Sequence, residues 1–276
     1  MDKIKKVYID SRYKASGSVS NSDFKFELKE ALDLPENTVC YVDDISIPHS
    51  WYTIEDYNNK LYVELTNTDQ TKSYTVLTIE TGNYTGASLA AIIHTTLRLR
   101  FIYEDFSCTY LPSKGVLRFY ANKLFRIFTD LDASLATILS VSWVDNNGEP
   151  TSVDSSNLMS INDVLRHSTP QPEPSNAFES GFLDLLNTHN IYMHCDNLGH
   201  YSTLGVRGEN TIIKKVPVSS SFGYLIMDSV VAPHDKIDVS RQLIKTLHFT
   251  LKNVHGNVIN LNGSHISFSL IFQTIE

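Results

Sequence analysis

A chain of 276 residues is long enough for one large β domain or two ordinary ones, and 42% hydrophobic with 20% charged residues describes a packed protein rather than a disordered one. A formal net charge of −8 excludes a strong, general nucleic-acid binder, which would carry a basic face or stripe. No apolar run approaches the ~20 residues that cross a bilayer as a helix, and MDKIKKVYID lacks the apolar region of a signal peptide. The expectation is a protein made inside a cell, without a membrane partner and not secreted by a signal peptide. Cys40, Cys108 and Cys195 are odd in number and widely spaced, which suits a reducing compartment rather than a disulfide framework. Lys3, Lys5 and Lys6 form the one basic cluster and read as a solvated group, with a basic arm that reaches a neighbour as the alternative.

In chain order, Val7 and Ile9 flank Tyr8, and the Ser/Gly-rich stretch ASGSVSNS leads to residues 24–28, which alternate as a half-buried strand. Leu34-Pro35-Glu36-Asn37 is turn chemistry. Residues 39–47 read as a strand that Pro48 closes, with Asp43 and Asp44 expected on opposite faces. Leu61, Val63 and Leu65 alternate, followed by Tyr74 and Val76. The texture changes at Gly82. Leu89, Ile92, Ile93, Leu97 and Phe101 then share a helical face, with Thr85 or Ser88 available as the cap. Strand-like pieces follow at 106–111, 116–120 and 125–128. Asp132 is placed to cap a second short helix that would bury Leu135, Ile138 and Leu139. Residues 145–181 are polar and broken, and Pro170, Pro172 and Pro174 favour an extended, exposed loop. Strand patterns return at 191–195, 212–218, 224–227 and 243–251. In the last of these, Leu243, Leu247, Phe249 and Leu251 form one face, against Ile244, Thr246, His248 and Thr250 on the other. Gly256-Asn257 and Asn262-Gly263 then turn the chain, so that the final strand, with Ile266, Phe268, Leu270 and Phe272 alternating, is expected to lie beside the preceding one.

Strands at both ends and helices in the middle give a mainly β chain, a single jelly-roll β-sandwich with a mixed α/β insertion between strands. Its limits are read as jelly-roll strands over 1–81 with an N-terminal arm, an insertion over 82–181, and jelly-roll strands over 182–276. A final strand in the core would mean that the sandwich closes only when the last strand is in place.

The search for chemistry finds no catalytic, cofactor or metal site. His189, His194, Cys195, Asp196 and His200 crowd one stretch, but strand alternation sends His194 and Cys195 to opposite faces. DNNGEP misses the register of a calcium loop and reads as a turn. No nucleophile elbow, phosphate loop or zinc-protease motif occurs. Contact features are more evident. Trp51, Tyr52 and Tyr57 cluster in the polar stretch HSWYTIEDYNN, a composition found at interfaces and also in corners packed beneath loops. Tyr8, Asp10, Arg12 and Tyr13 share one extended segment. There Asp10 and Arg12 either pair locally and pin the N-terminal arm or meet a neighbouring subunit, and the local pair is preferred.

Five stretches, VYIDSRYKASGSVSNSDFKFEL, TVCYVDDISIPHSWYTIEDYNNKLYV, the Gly-Asn-Tyr-Thr-Gly helix entry at 82–86, TIIKKVPVSSSFGYLI and LHFTLKNVHGNVINLNGSHISFSLIF, together resemble the penton-type minor capsid proteins of Polinton/Maverick elements, adintoviruses and virophages. The resemblance implies a single jelly roll, five copies of which close a ring at each icosahedral vertex of a virion. It implies contact with a double-jelly-roll major capsid protein, an insertion projecting outward from the vertex, and neither enzyme activity nor cofactor. A host receptor could meet the insertion. Two other readings stand beside it: a carbohydrate- or receptor-binding jelly-roll module, and an enzyme on the same scaffold.

Overall fold

The chain opens with three strands, β1 (Ile4–Asp10), β2 (Asp23–Asp33) and β3 (Thr38–Pro48). It continues through β4 (Lys60–Thr66), β5 (Lys72–Thr78), α1 (Gly86–Arg100), β6 (Ser107–Leu111), β7 (Val116–Ile127) and α2 (Asp130–Ile138). Next come β8 (Trp143–Val144), β9 (Pro150–Thr151), α3 (Asn162–Leu165) and β10 (Ser175–Glu179). The last strands are β11 (Asn190–Cys195), β12 (Ile212–Pro217), β13 (Leu225–Asp228), β14 (Ile237–Asp238), β15 (Leu243–Lys252) and β16 (Ser267–Thr274). The computed structural model describes residues 4–154, 158–198 and 203–275. It comprises two units, one of Met1–Trp51 with Thr188–Glu276 and one of Tyr52–Asn187.

The first unit is a jelly-roll β-sandwich. One sheet has the order β1-β16-β3-β13, with β14 also on β3, and the other has the order β12-β11-β15-β2. All these pairings are antiparallel. With β13 and β14 taken as two pieces of one strand, eight strands in sequence fall into sheets ordered 1-8-3-6 and 5-4-7-2, the double Greek key of a jelly roll. The inserted unit leaves between the third and fourth of them. Alternate residues of both sheets meet in one core, where Phe249 lies 5.6 Å from Phe24 and 4.9 Å from Phe268, ring centre to ring centre.

β16 pairs with β1 on one side and β3 on the other. It therefore does not lie beside β15, as the turn pattern suggests, but in the opposite sheet. Asn262 and Gly263 do carry positive φ (47° and 82°), yet the turn they make belongs to a crossing between sheets, not to a two-residue hairpin. The alternation of residues 268–272 fixes which face is buried; it holds no information about which strand is the neighbour.

Three local expectations change for one reason, because period-2 counting fails at a bulge or a sheet edge. The N-terminal segment is not a free arm: residues 4–10 pair along β16 as an edge strand. In β3 the register slips between Asp44 and Val42, so Asp43 is an extra residue. Both carboxylates then reach Lys6, at 2.6 and 3.3 Å, instead of pointing apart. In β15 a second slip, between Ile244 and Thr246, puts Ile244 in the core and leaves Leu243 exposed.

The inserted unit holds a sheet of order β10-β7-β4-β5-β8-β9, with β6 also on β7. It begins at Tyr52 and ends at Asn187, wider than the 82–181 read from sequence, because β5 pairs with β4 and β4 pairs with β7. On β4, Leu61, Val63 and Leu65 face the cluster under α1, whereas Tyr62 faces the cluster under α2. The helices therefore cover opposite faces of one sheet. α1 starts at a reciprocal cap in which Thr85 and Ser88 exchange side-chain and backbone bonds, and it buries Leu89, Ala90, Ile93 and Leu97. Gly86 opens that helix because a Cβ there would come within 2.6 Å of the Tyr110 ring.

α2 departs from the sequence reading. Its cap is Thr129, with Asp132 closing the box from the third helical position, and the buried side chains are Ala133 and Ala136. Leu135, Ile138 and Leu139 face solvent. Residues 158–181 are also more structured than an exposed loop. Ile161, Val164 and Leu165 are fully buried around α3, and β10 pairs with β7, while Pro170 and Pro172 are exposed as expected.

Candidate functional site

The interface residues named from sequence fall into three places. Tyr8 and Tyr13 are 73% and 76% exposed, on and just beyond the edge strand β1. With Val7, Ile9, Asp10, Phe26 and Leu28 they border an open groove of 590 Å³ between the edge strands β1 and β2. The backbone phase follows from Ser11, whose N–H donates to Ile266 O at 3.0 Å. Counting back by twos, Ile9 and Val7 turn their backbone groups to β16, and Tyr8 and Lys6 turn theirs to the unpaired edge.

Asp10 and Arg12 form the local pair. The Arg12 Nε donates to both carboxylate oxygens, at 3.0 and 3.1 Å, and a terminal nitrogen donates at 2.5 Å. The Arg12 backbone N–H donates to the same carboxylate at 2.9 Å, which caps the 3-10 turn Ser11–Tyr13. These bonds hold the Asp10 carboxyl below its ordinary value. Next to this pair, the Lys6 ammonium lies 5.1 Å from the Tyr8 ring centre. Bonding to Asp43 above all, and to Asp44, raises Lys6 to about 12 against the opposing cost of desolvation. Lys6 is thus part of an ionic network on the outer face of the sheet, and Ser269 joins it by donating to Asp44 at 2.5 Å.

Trp51 is not a surface residue. It is 4% exposed and stacks on His49, ring centres 4.2 Å apart, with the His49 Nδ1 2.7 Å from Ser220 O. An aromatic in a polar stretch fits either an interface or a covered corner, and here the corner holds. Tyr52 and Tyr57 belong to the inserted unit and are half-buried. Their loop is organised by side-chain amides. Asn58 and Asn187 both donate to Thr53 O, at 3.2 and 3.0 Å, and the Tyr52 N–H donates to the Glu55 carboxylate at 3.2 Å.

The histidine-rich stretch behaves as its alternation implies. Met193 and Cys195 point into the core, and burial pushes the Cys195 thiol up to about 12. His194 packs on the other face, with Nδ1 2.9 Å from Thr211 Oγ1, and desolvation lowers its pKa. His200 lies outside the described residues. Among the described residues no group of three or more His, Cys, Asp or Glu side chains is arranged to hold a metal ion. No helix among them is long and apolar enough to cross a membrane.

Two features escaped the sequence reading. His248 on β15 sits between carboxylates, with Nδ1 2.7 Å from Asp196 and Nε2 2.7 Å from Asp23. Asp196 and Asp23 are far from His248 in sequence, so only the sheet order brings the three together. The second is the apolar outer face of α2, whose i, i+4, i+7 spacing is legible but whose direction is not. Among the described residues, the edge of β1 is left unpaired, an aromatic-rimmed groove stays open beside it, and the outer face of α2 is uncovered.

No family model and no curated protein matches this sequence. Among solved structures the chain is similar to the crystal structure of a selenomethionine-labelled mavirus penton protein, at 9% identity and a TM-score of 0.51 over the whole of both chains. At that identity the likeness shows a shared fold, a penton-like jelly-roll chain.

Proposed function

We propose that this chain is a structural capsid protein, a penton that builds the icosahedral vertices of a Polinton-like or adintovirus-like virion. Five copies close a ring, the ring abuts a double-jelly-roll major capsid protein, and the inserted unit projects outward. The observation that carries this reading is the fold likeness to the mavirus penton protein over the full length of both chains, inserted unit included. The surfaces described above support it, because ring subunits need edges and patches that meet a different face of the next copy. The test is the mass of the purified protein across a concentration series. A species of five times 31.1 kDa is the expected result. A monomer throughout, even when co-expressed with a major capsid protein, overturns it.

A receptor-binding role for the inserted unit is compatible with the vertex role. The carbohydrate reading loses Trp51 to burial, and it rests on Tyr52, Tyr57 and the Asp/Asn-rich stretch at 145–162. Retention of a glycan on an array, lost in a Tyr57→Ala variant, is the result that would restore it.

A further inference from the structure

The two outer strands of one sandwich sheet, β1 and β13, carry bare backbone edges. Along the order β1-β16-β3-β13 every neighbour is antiparallel, so β1 and β13 run in opposite directions. On β1 the backbone groups of Lys6 and Tyr8 face the free edge, and their side chains are exposed, whereas Val7 and Ile9 face the core. On β13 the phase follows from the His49 N–H, which donates to Tyr224 O at 2.9 Å. Counting on by twos, Ile226 and Asp228 turn their backbone groups to β3, and Leu225 and Met227 turn theirs to the free edge. Ile226 lies in the core, whereas Leu225 and Met227 are 56 and 75% exposed. Among the described residues no strand or loop bonds to the backbone of these four residues from the free side. The edge of β2 in the other sheet is already closed: Lys25 O accepts from the Ala15 N–H at 2.7 Å, and the Lys25 N–H donates to Ser18 Oγ at 3.0 Å.

We propose that β13 of one copy pairs antiparallel with β1 of the next, so that the β1-β16-β3-β13 sheet runs on from subunit to subunit. The inference rests on the ring reading and deepens it by naming the edges that meet. Such a contact is head-to-tail, as a ring requires. Three conditions must hold together, and all three do. Rotation about an axis along the strands keeps their directions, and β13 and β1 are opposed, so the junction is antiparallel like every other pair in the sheet. Bare residues meet bare residues when Leu225 stands opposite Tyr8 and Met227 opposite Lys6, and each of these pairs then exchanges two backbone hydrogen bonds. The paired side chains also share a face, since all four are outward. Between and beyond them, Ile226 comes opposite Val7, apolar beside apolar, and Asp228 opposite the exposed Lys5, carboxylate beside ammonium. Nothing guards the β1 edge. It has no proline, and Lys6 is drawn onto the sheet by Asp43 and Asp44. The 590 Å³ groove beside β1 leaves room for the incoming strand. A two-fold pairing of β1 with β1 would instead crowd the Lys5 and Lys6 ammonium groups of both copies and leave β13 bare. Closure of the ring adds the effect of each junction around the circle.

Mild oxidation of a Tyr8→Cys/Leu225→Cys double variant tests this, at concentrations where the unmodified chain has the mass of a ring. Both side chains are exposed, and the Cα atoms of a hydrogen-bonded cross-strand pair lie about 5.5 Å apart, within reach of a disulfide. The expected result is a ladder of disulfide-linked oligomers ending at the closed ring. Neither single variant should crosslink, and neither should Tyr8→Cys/Met227→Cys, whose positions are displaced by two residues. Cys40, Cys108 and Cys195 are buried and do not compete. Dimers from Tyr8→Cys alone would mean that β1 meets β1, and would overturn the proposal. A crosslink from the displaced pair alone would overturn the register on which it rests. No ladder from the matched pair, while the unmodified chain forms its ring, overturns this inference and leaves the ring standing. A chain that is monomeric throughout, alone and with the shell protein, overturns both. The unmodified chain gives a second readout: the Tyr8 and Leu225 amides should exchange at least about tenfold more slowly in the ring than in dilute monomer. Equal exchange rates in the two states also overturn the pairing.

Discussion

Glu55 shows how a single side chain couples the inserted unit to pH. Burial, the largest influence, pushes its carboxyl from 4.5 up to about 7. The unfolded chain releases this proton above about 4.5, while the folded chain keeps it until about 7. Stability from this group therefore falls as pH rises from 4.5 to 7 and is flat above. A Glu55→Gln variant should lose that slope and be more stable than the parent at pH 8 by about 1–2 kcal/mol once solvent screening is discounted, seen as a higher melting temperature. Equal melting shifts at pH 5 and pH 8 would show that Glu55 titrates normally. The histidines run the other way. Desolvation lowers His49, His167 and His194 below 6.5. Their neutral forms suit the fold, so stability is present above 6.5 and is lost as pH falls below it. Mutating Glu55 should therefore expose a plain acid-side loss of stability in thermal melts between pH 7 and pH 5. Neither effect is readable from sequence, since Glu55 and the three histidines carry no local signal of burial.

At the scale of elements, α2 and β3 make the clearest cases. A helix with leucines on one face and alanines on another reads from sequence as a helix burying its leucines. Here the space over Tyr62, Val76, Phe128 and Trp143 admits only small side chains, and Ala133 is fully buried. Replacing Ala133 with Leu should cost about 1–3 kcal/mol through overpacking, whereas Leu135→Ser should change stability by less than about 0.5 kcal/mol. Urea denaturation of both variants checks this, and equal losses would mean that the helix is turned the other way. Removing the cap with Thr129→Ala should cost about 1 kcal/mol. In β3 the bulge gathers Asp43 and Asp44 on Lys6. The hydrophobic pattern Val42-Asp43-Asp44-Ile45 already contains the slip, two residues between core positions instead of one.

At the scale of the whole molecule, β16 is the element on which the sandwich depends. It separates β1 from β3, so without it one sheet has neither its centre nor the Phe268 contact with Phe249. Phe268→Ala should cost about 3–5 kcal/mol. Deleting residues 267–276 should abolish slow amide exchange throughout β1, β3 and the opposed sheet. Persistent protection in β3 after that deletion would show that the sandwich closes without its last strand. The inserted unit has clusters of its own on both faces of its sheet, so its protection is expected to respond less.

The sequence by itself determined the strand grammar at both ends, the helix at α1 with a cap at Thr85 or Ser88, the interruption in the middle and the inward place of Cys195. Each is a local property, set by side-chain period, capping chemistry or turn residues within a few positions. It also held the resemblance that motivates the vertex reading, carried by stretches spread along the chain. Only the tertiary structure decided which sheet each strand joins, that β4 and β5 belong to the inserted unit, and that β15 and β16 part company. It also decided that Trp51 is covered while the leucines of α2 are not. Periodicity specifies that a residue has a buried side, but which surface comes to cover that side depends on chain segments far away in sequence. His248 between Asp23 and Asp196, and Lys6 between Asp43 and Asp44, exist for that reason: strand order, not spacing, brought their charges together.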